Sequence, residues 1–219
     1  MTGATENRRL PVRSCRVIGT GESTETHHTV QCPRKHESTS FAKCCGCSHM
    51  ATIDVDPDGK HGTVECHVDE KGLPNGRVDV AEAAVRVRVG DVLGVDTTCV
   101  RSDVKIDAVT EILVESGVRA VPVVDEARRL VGIVSKTDLL RGRAKGKTRA
   151  KVVGEIMTPV VHGLPEDAPV AYAFSLMAFE GLHEVPVVDS RSQVIGMITA
   201  TDALRWVAQS LGYVVPARK

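Results

Sequence analysis

The chain has 219 residues, of which 42% are apolar and 3% aromatic, enough for one ordinary core or two modest ones that pack mainly Val, Ala and Leu. Its 28 Lys and Arg balance its 28 Asp and Glu, so the molecule as a whole has no net field to draw nucleic acid. No apolar run approaches the ~20 residues needed to cross a bilayer, and the start, MTGATENRRLPVRSC, lacks the apolar core of a secretory signal, which predicts a cytoplasmic protein without membrane contact.

The first third of the chain is set apart by its cysteines. Six of the seven cysteines lie in this third: Cys15 in a predicted N-terminal tail over residues 1–28, and five more between residues 32 and 66. In a chain without a secretory signal, such a cluster predicts metal binding before disulfides, and an odd total argues against a complete disulfide set. We therefore predict a small β-rich, metal-binding domain over residues 29–69.

Four of these cysteines have a spacing that suits a structural zinc site: Cys32, Cys44, Cys47 and Cys66. The Cys44-x-x-Cys47 pair offers two thiolates from one tight turn. Residues 50–55 and 63–65 are predicted to pair as strands, which would bring Cys66 back to that turn. The layout resembles a zinc ribbon, and this resemblance implies a Zn²⁺ ion that stabilises a segment with few large apolar side chains.

Other interpretations of the cysteines stay open. Cys45 could replace Cys44, and the further ligand candidates are Cys15, His36, His49 and His67. Four cysteines could also hold an iron–sulfur cluster, and a disordered tail with reduced thiols needs no metal at all. Cys99, which lies beyond the cluster, is predicted to pack as a small apolar side chain.

Most of the rest of the chain is an internal repeat. Residues 89–141 align without a gap with residues 153–205, at an offset of 64. The shared blocks are Val-Pro-Val-Val-Asp, at 121–125 and 185–189, and a Gly followed by two apolar residues, Ser or Thr, any residue, Thr and Asp, at 132–138 and 196–202. An ungapped match of this length is hard to reach by chance, so the sequence predicts two copies of one structural unit.

Each copy is predicted to fold in the order strand, helix, strand, strand, helix. Apolar residues recur at helical spacing over residues 106–113 in copy one and 170–177 in copy two. Gly117 and Gly181 follow as helix stops. Two short apolar runs around a polar turn then predict paired strands, and a second helix closes the unit.

The copies and their connections define the predicted organisation of the second half of the chain. The segments are a joint at 70–84, copy one at 85–141, a basic linker at 142–152, copy two at 153–210 and a C-terminal tail at 211–219. The linker has nothing apolar larger than alanine up to residue 151, so it is predicted to be solvated and mobile. A nucleic-acid tether is the alternative interpretation of its cations.

The repeated unit resembles the CBS motif, and the pair resembles the Bateman module. The resemblance rests on the two shared blocks, which have the same order and spacing in both copies. It implies an α/β (α+β) fold in which two βαββα units pack sheet against sheet about a pseudo-twofold axis and leave two clefts. Members of this family commonly form homodimers, bind adenosine-containing ligands in the clefts, and regulate an attached or partner protein.

The resemblance implies a ligand at the start of the second helix of each copy. Ser135 and Thr199 would lie where free N–H groups and the helix dipole favour an anion. Asp138 and Asp202, one turn further on, can accept hydrogen bonds from neighbouring ribose hydroxyls. An alternative needs no ligand, because Ser or Thr followed three residues later by Asp is also a helix-capping motif.

The resemblance also implies further cleft residues. Family members often carry a cation three residues before the proline, where this chain has Arg119 and His183, although His183 is equally readable as an ordinary surface histidine. The next position holds Glu184 in copy two, and its charge would repel a phosphate. The segments before the first helix of each copy are expected to supply the cleft walls: Val95, Pro159 and Val160.

We therefore predict a regulatory protein that senses AMP, ADP, ATP or S-adenosylmethionine and passes its state to an unidentified protein partner. No nucleophile–base pair or Gly-rich phosphate loop occurs, so an enzyme is not expected. One alternative is a metal-containing nucleic-acid-binding or transcription-related regulator, which is not favoured because acidic residues offset the cations of the cysteine-rich region. Another is a structural dimer with degenerate clefts.

Overall fold

The computed structural model describes residues 5–20, 23–35, 37–55, 62–69, 79–94, 96–144, 150–159 and 163–213. Ahead of the first βαββα unit are β1 (Thr5–Ile18), β2 (Thr24–Cys32), β3 (Glu37–Ser40), α1 (Phe41–Cys45), β4 (Met50–Val55), β5 (Gly62–Asp69), α2 (Val80–Arg86) and α3 (Val89–Val92), the last of which already lies in the leading segment of copy one. Copy one contains β6 (Asp96–Arg101), α4 (Ile106–Glu115), β7 (Ala120–Val124), β8 (Leu130–Ser135) and α5 (Lys136–Ala144). A 3-10 turn (Val153–Glu155) and β9 (Thr158–Pro159) lead into copy two, which contains β10 (Leu164–Pro165), α6 (Val170–Glu180), β11 (Glu184–Val188), β12 (Val194–Thr199) and α7 (Ala200–Ser210).

Each copy has the predicted βαββα order, and the hairpins match in register. Ala120 pairs with Ser135 in copy one, and Glu184 pairs with Thr199 in copy two. Gly117 and Gly181 both adopt a left-handed backbone, with φ of 69° and 65°, directly after the first helix of each copy. The predicted helix stops are therefore confirmed, since glycine adopts this conformation without a steric penalty.

The region before the repeat adds strands to the sheet of copy one. The strand order is β3-β2-β1-β6-β7-β8-β9, with the β4–β5 hairpin paired to β1, whereas copy two has a separate sheet in the order β10-β11-β12. Residues 5–18 and 24–28, which the sequence analysis assigns to a tail, lie in two central strands of the larger sheet. That interpretation is wrong for the described part of 1–28, because β1 pairs with β5 and β6, partners far along the chain, and β2 pairs with β1 and β3.

Strand β1 contributes to two hydrophobic clusters. Leu10 and Val12 pack with residues of the cysteine-rich region, whereas Cys15 and Val17 pack in a cluster shared with β6 and both hairpins. Side chains alternate between the two faces of a strand. Because the buried positions are even-numbered in the first half of β1 and odd-numbered in the second half, the two halves bury opposite faces of the strand. Its pairing changes at the same place, from β5 over residues 5–11 to β6 over residues 14–18.

The two copies exchange their leading segments. Val89, at the start of copy one, is fully buried in the core of copy two, and Val153, at the start of copy two, is fully buried in the core of copy one. The backbone contacts are reciprocal as well: Val89 N donates to Ala168 O at 2.8 Å, and Val153 N donates to Val104 O at 2.9 Å. Neither copy therefore completes its core without the leading segment of the other.

The hairpin turns of the two copies meet across the pseudo-twofold axis. Leu130 N donates to Ser192 O, and Val194 N donates to Arg128 O. Arg128 and Ser192 are the two non-glycine residues with positive φ among the described residues, at 63° and 61°. This uncommon conformation coincides in both turns with a carbonyl that accepts a hydrogen bond from the opposite copy.

The helices pack around these sheets. The joint predicted over 70–84 includes the start of α2, and Ala84 on this helix packs in the core of copy two. Its residues 70–78 lie outside the described residues, as do 145–149 of the basic linker. None of the helices in the described part of the chain is both long enough and apolar enough to span a membrane.

Candidate functional site

The start of α5 forms a closed hydrogen-bonded box between Ser135 and Asp138. Ser135 N and Ser135 Oγ donate to Asp138 Oδ2 at 2.9 and 2.6 Å, and Asp138 N donates to Ser135 Oγ at 3.2 Å. The second carboxylate oxygen, Asp138 Oδ1, lies 3.5 Å from the hydroxyl of Thr158 on β9. The hydrogen bonds of the helix cap thus use Asp138 Oδ2. At this site, Asp138 Oδ1 has the one long contact with Thr158.

The start of α7 repeats this arrangement. Thr199 N and Thr199 Oγ1 donate to Asp202 Oδ2 at 2.9 and 2.7 Å, and Asp202 N donates to Thr199 Oγ1 at 3.1 Å. Asp202 is more deeply buried than Asp138, with 7% of its surface exposed. Both boxes are capping boxes. Helix capping alone, which needs no ligand, therefore accounts for the geometry of the chain without a ligand.

The second shared block begins with a glycine in each copy, Gly132 and Gly196, and each glycine allows a neighbouring segment to pack close to the box. A Cβ atom at Gly132 would lie 2.5 Å from Met157 Sδ, and one at Gly196 would lie 3.0 Å from Leu93 Cδ1. In each case the neighbour belongs to the leading segment of the other copy. A side chain at either position would push that segment away from the helix start, which explains why the block begins with glycine.

The cleft wall of copy one comes from the segment before copy two. Pro159 and Thr158 on β9 pair with Gly132 and Ile133 on β8. By sequence Pro159 belongs with copy two, yet it lies beside the Ser135–Asp138 box of copy one because the copies exchange their leading segments. Val95 and Val160, the other two predicted wall residues, lie outside the described residues.

Arg119 and His183 lie beside the two boxes through their backbones. Arg119 O accepts a hydrogen bond from Lys136 N at 3.0 Å, and His183 O accepts one from Ala200 N at 2.9 Å. Both side chains are exposed. The structure therefore brings the paired Ser or Thr, the Asp and the preceding Arg or His to the same end of each hairpin.

The cysteine-rich region brings the predicted metal ligands into one part of the fold. Cys32 ends β2, Cys44 lies on α1, and Cys66 on β5 is paired with Met50 on β4. Cys47 N donates to Cys44 O at 3.0 Å and closes the turn between these two residues. Cys44 and Cys66 are both buried in the same hydrophobic cluster.

The pKa shifts of Cys44 and Cys66 reflect their burial and the other cysteines around them. Burial raises the pKa of Cys44 to about 11, with added repulsion from the charges on Cys66, Cys47, Cys32 and Cys45. Burial also raises the pKa of Cys66, again with repulsion from Cys32 and Cys47. Among the described residues, however, no three His, Cys, Asp or Glu side chains are grouped closely enough to hold an ion as they stand.

A buried polar junction ties the N-terminal strands to copy two. Arg13, with 3% of its surface exposed, donates to Gly90 O, and Ser38 N donates to Glu166 Oε2 at 2.7 Å. Burial raises the pKa of Glu166, which the hydrogen bond from Ser38 and the charge of Arg13 oppose. Sequence reasoning missed this junction because its members are single polar residues scattered over 13–166 without a motif.

Two cavities open on the side of the pair that faces the N-terminal strands. The larger measures about 620 Å³ and has Arg86, Arg88 and Glu166 in its lining. The smaller measures about 220 Å³ and reaches Cys15 and Arg128. Within the described residues, neither of these two cavities is lined by the aspartates of the capping boxes.

Two βαββα units that exchange their leading segments, each with the same box at a helix start, define a tandem-repeat α+β domain. The chain belongs to the CBS domain family: residues 89–145 and 153–209 each match the CBS domain, and together they make up just over half of its length. The predicted family and the mixed α+β fold of the pair are thereby confirmed.

Relatives share part of their length with this chain. It is 33% identical over 117 residues to L-aspartate semialdehyde sulfurtransferase of Methanocaldococcus jannaschii, a match that covers 53% of this chain and 22% of that protein. It is 29% identical over 138 residues to the chloroplastic CBS domain-containing protein CBSX2 of Arabidopsis thaliana, which covers 50% of this chain and 58% of that protein. The likeness is thus to a part of each relative, and it assigns no catalytic activity to this chain.

Solved structures show the same fold. The CBS domain pair of protein MJ0100, in complex with 5′-methylthioadenosine and S-adenosyl-L-methionine, matches with a TM-score of 0.51 and 31% identity, over 55% of this chain and 99% of that chain. CBSX2 in complex with AMP matches with a TM-score of 0.50 and 32% identity, over 56% of this chain and 96% of that chain. Both similar structures therefore contain an adenosine-type ligand.

Proposed function

We propose that this protein is a regulatory sensor that binds an adenosine-containing small molecule in the clefts of its CBS pair. The observation that carries the proposal is the matched pair of boxes at the starts of α5 and α7, with Ser135 and Asp138 in one and Thr199 and Asp202 in the other. The ligands of the two similar structures, AMP and S-adenosyl-L-methionine, support the adenosine class. The proposed role is regulatory and not catalytic.

The cleft of copy one is the better ribose site. Capping uses Asp138 Oδ2, and Asp138 Oδ1 can exchange its long contact with Thr158 for a ribose hydroxyl. Hydrogen bonds to a charged acceptor are among the stronger ones. Arg119, exposed at the same end of the hairpin, supplies a positive charge for a phosphate, and Pro159, paired with Gly132, would form part of the wall.

The cleft of copy two suits an adenosyl group without phosphates. Glu184 follows His183 at the mouth of this site, and a carboxylate there repels a phosphate. Asp202 is also less exposed than Asp138, so less of it faces an incoming ligand. We therefore propose that the two clefts differ in ligand preference.

Thermal melting of the full chain with AMP, ADP, ATP and S-adenosylmethionine tests this proposal. A ligand at 100 times its dissociation constant adds about 2.7 kcal/mol to the free energy of unfolding. We expect a rise in melting temperature that Asp138→Asn reduces for AMP and Asp202→Asn reduces for S-adenosylmethionine. Asp107→Asn, an exposed aspartate on α4, is the matched control and should leave both shifts unchanged.

No shift with any of the four compounds would contradict the sensing proposal. A shift that survives in both variants would show that the ligand binds elsewhere. Retention of nucleic acid by the free chain, tested at low and high salt, would instead favour the nucleic-acid-binding alternative.

We also propose that the chain forms a homodimer through the exposed helices of the pair. Leu140 on α5 and Leu204 on α7 occupy equivalent positions and are 67% and 71% exposed, and Phe179 on α6 is 88% exposed. Apolar side chains exposed together mark association surfaces. Sedimentation of the Leu140→Asp, Leu204→Asp double variant should show a smaller species than the wild type, and equal sedimentation would contradict this interface.

We further propose that Cys32, Cys44, Cys47 and Cys66 bind one Zn²⁺ ion. Burial, together with the neighbouring cysteines, raises the pKa values of Cys44 and Cys66, and a divalent cation would stabilise the thiolate forms that these surroundings disfavour. Ligation would need the four sulfur atoms to move closer, since no three potential ligands of the described chain stand in binding arrangement.

Elemental analysis of the purified chain tests the metal site. We expect one zinc per chain, lost on treatment with a chelator together with a fall in melting temperature. Cys47→Ser should lower the zinc content, whereas Cys45→Ser, which changes an exposed neighbour, should leave it unchanged. Protein without stoichiometric zinc, or with iron in its place, would contradict the proposal.

A further inference from the structure

Two cysteines outside the proposed metal site lie side by side where the N-terminal strands join copy one. Cys15 on β1 and Cys99 on β6 have their sulfur atoms 3.7 Å apart. Cys15 is 5% exposed and Cys99 is fully buried. A disulfide needs a sulfur–sulfur distance of about 2.05 Å, so a modest approach of the two strands would join them.

The register of the sheet places both side chains on one face. Cys15 pairs with Thr97 and Val17 pairs with Cys99 in the parallel β1–β6 ladder, so the two cysteines are diagonal neighbours. Diagonal neighbours stand further apart than direct partners, and formation of the bond would therefore draw β1 along β6. The bond would also close a loop between residues 84 positions apart.

Solvent reaches this pair through the smaller cavity. That cavity, of about 220 Å³, has Cys15, His27 and Arg128 in its lining. A water molecule in the liquid occupies about 30 Å³, so the cavity admits an oxidant a few atoms in size. Cys99 is fully buried and is not in the lining of this cavity.

The surroundings favour ionisation of Cys15 over Cys99. The hydrogen bond between the two thiols lowers the pKa of Cys15, and the positive charge of Arg128 lowers it as well, against the effect of burial. The same hydrogen bond and burial raise the pKa of Cys99. The thiolate is the nucleophilic form of cysteine, and Cys15, which lines the cavity, is the thiol that an oxidant in the cavity meets.

We propose that Cys15 and Cys99 are a redox-active pair that a small peroxide converts into an intramolecular disulfide. The Cys15 thiolate attacks one oxygen of hydrogen peroxide and becomes a sulfenic acid as hydroxide leaves. The Cys99 sulfur then attacks the sulfenic sulfur, the S–S bond forms, and the proton of the thiol leaves with the hydroxyl group as water. The two thiols lose two electrons, which reduce the peroxide.

The product would tie the N-terminal region covalently to the first CBS motif. The β1–β6 ladder is the main connection between these regions, and the bond would fix the position of β1 along it. Movement of the cysteine-rich region relative to the CBS pair would then depend on the oxidation state of these two residues. The site is separate from the capping boxes and from the proposed zinc ligands, so it stands or falls independently of both.

Peptide mapping of the intact chain after treatment with hydrogen peroxide tests the proposal. Cleavage after Arg and Lys isolates each cysteine, because residues 14–16 contain only Cys15 and residues 89–101 contain only Cys99. With free thiols blocked and without reductant, we expect these two peptides to appear joined, and to separate on reduction. Mapping by peptide keeps the result distinct from oxidation of the other cysteines.

Variants assign the order of the two steps. In Cys99→Ser, a sulfenic-acid probe should label residues 14–16, whereas in Cys15→Ser it should leave 89–101 unlabelled. Arg128→Gln should slow formation of the joined peptide several-fold, and Arg129→Gln, a change at the exposed neighbour paired with Asp125, should not. Absence of the joined peptide from the wild type would overturn the proposal, as would an oxidation rate that Arg128→Gln leaves unchanged.

Discussion

The two copies of the repeat have matched sequences and unequal surroundings. In copy one, β6 is six residues long and has β1 along its outer edge, whereas β10 of copy two is two residues long and, within the described chain, pairs with β11 alone. The boxes at the helix starts keep the same hydrogen bonds, but Asp202 is more deeply buried than Asp138. The comparison teaches that the repeated sequence sets the backbone and the core of both copies, while the unrepeated N-terminal region extends the sheet of copy one alone.

Where the two copies are equal, equivalent substitutions should lower the free energy of unfolding equally. We expect the largest losses at the two valines that each copy places in the core of the other. Val89→Ala and Val153→Ala each empty a fully buried position, at an expected cost of about 2 kcal/mol in the free energy of unfolding. Denaturation with urea measures this cost. Val85→Ala and Val114→Ala, at positions 60% and 69% exposed, are controls with little expected effect. A large effect at only one of Val89 and Val153 would break the reciprocity.

The capping boxes should show a smaller and unequal effect. Ser135→Ala and Thr199→Ala each remove a cap that is worth about 1 kcal/mol. Thr199→Ala should cost more, because it removes a hydrogen bond to Asp202, which is 7% exposed and therefore less able to bond to water instead. Thr137→Ala and Thr201→Ala change exposed residues at equivalent positions and serve as controls in the same urea titration. Equal losses at the two caps would contradict the difference in burial.

The smallest expected effect on stability concerns Glu166, which joins copy two to the N-terminal strands through its hydrogen bond from Ser38. Because burial raises the pKa of Glu166 in the folded chain, the native state binds more protons than the unfolded chain at pH values between the two pKa values. The stability from this group is therefore fully present below the ordinary glutamate pKa of about 4.3 and is lost as the pH rises through the raised value. Glu166→Gln should remove that loss, so its stability relative to wild type should increase with pH.

Urea titrations at several pH values from about 4 to 7 would measure this difference. Asp167→Asn, at the exposed neighbour, is the matched control, and Ser102 stands at the equivalent position of copy one without a carboxylate. A constant difference between Glu166→Gln and wild type over this range would contradict the effect of burial on Glu166.

The repeat made the CBS pair predictable from sequence. Two blocks such as Gly132–Asp138 and Gly196–Asp202 carry local information: apolar alternation for a strand, then Ser or Thr and Asp for a helix start. The paired strands and the helix stops therefore agreed with expectation. Which residues bind ligand or metal stays a prediction.

What escaped prediction depends on contacts that are distant in sequence. Residues 5–18 show only partial alternation, and their partners lie on β5 and β6, so the sequence alone suggested a tail. The exchange of Val89 and Val153 between the two cores could not be predicted either, because the sequence around a single valine does not indicate in which core it packs. Cys99 was predicted to pack as a small apolar side chain, and it does so, but its sulfur contact with Cys15 has no sequence signature.

The long reach of β1 has a consequence for the order of assembly during synthesis. The ladder between residues 14–18 and 96–101 cannot form until the chain has emerged from the ribosome past residue 101. Val89 must wait longer, since its partners extend from Leu164 to Trp206. Although β1 can pair earlier with β2 and β5, the edge of residues 14–18 that faces β6 stays unpaired until β6 has emerged, and unpaired strand edges are prone to aggregation.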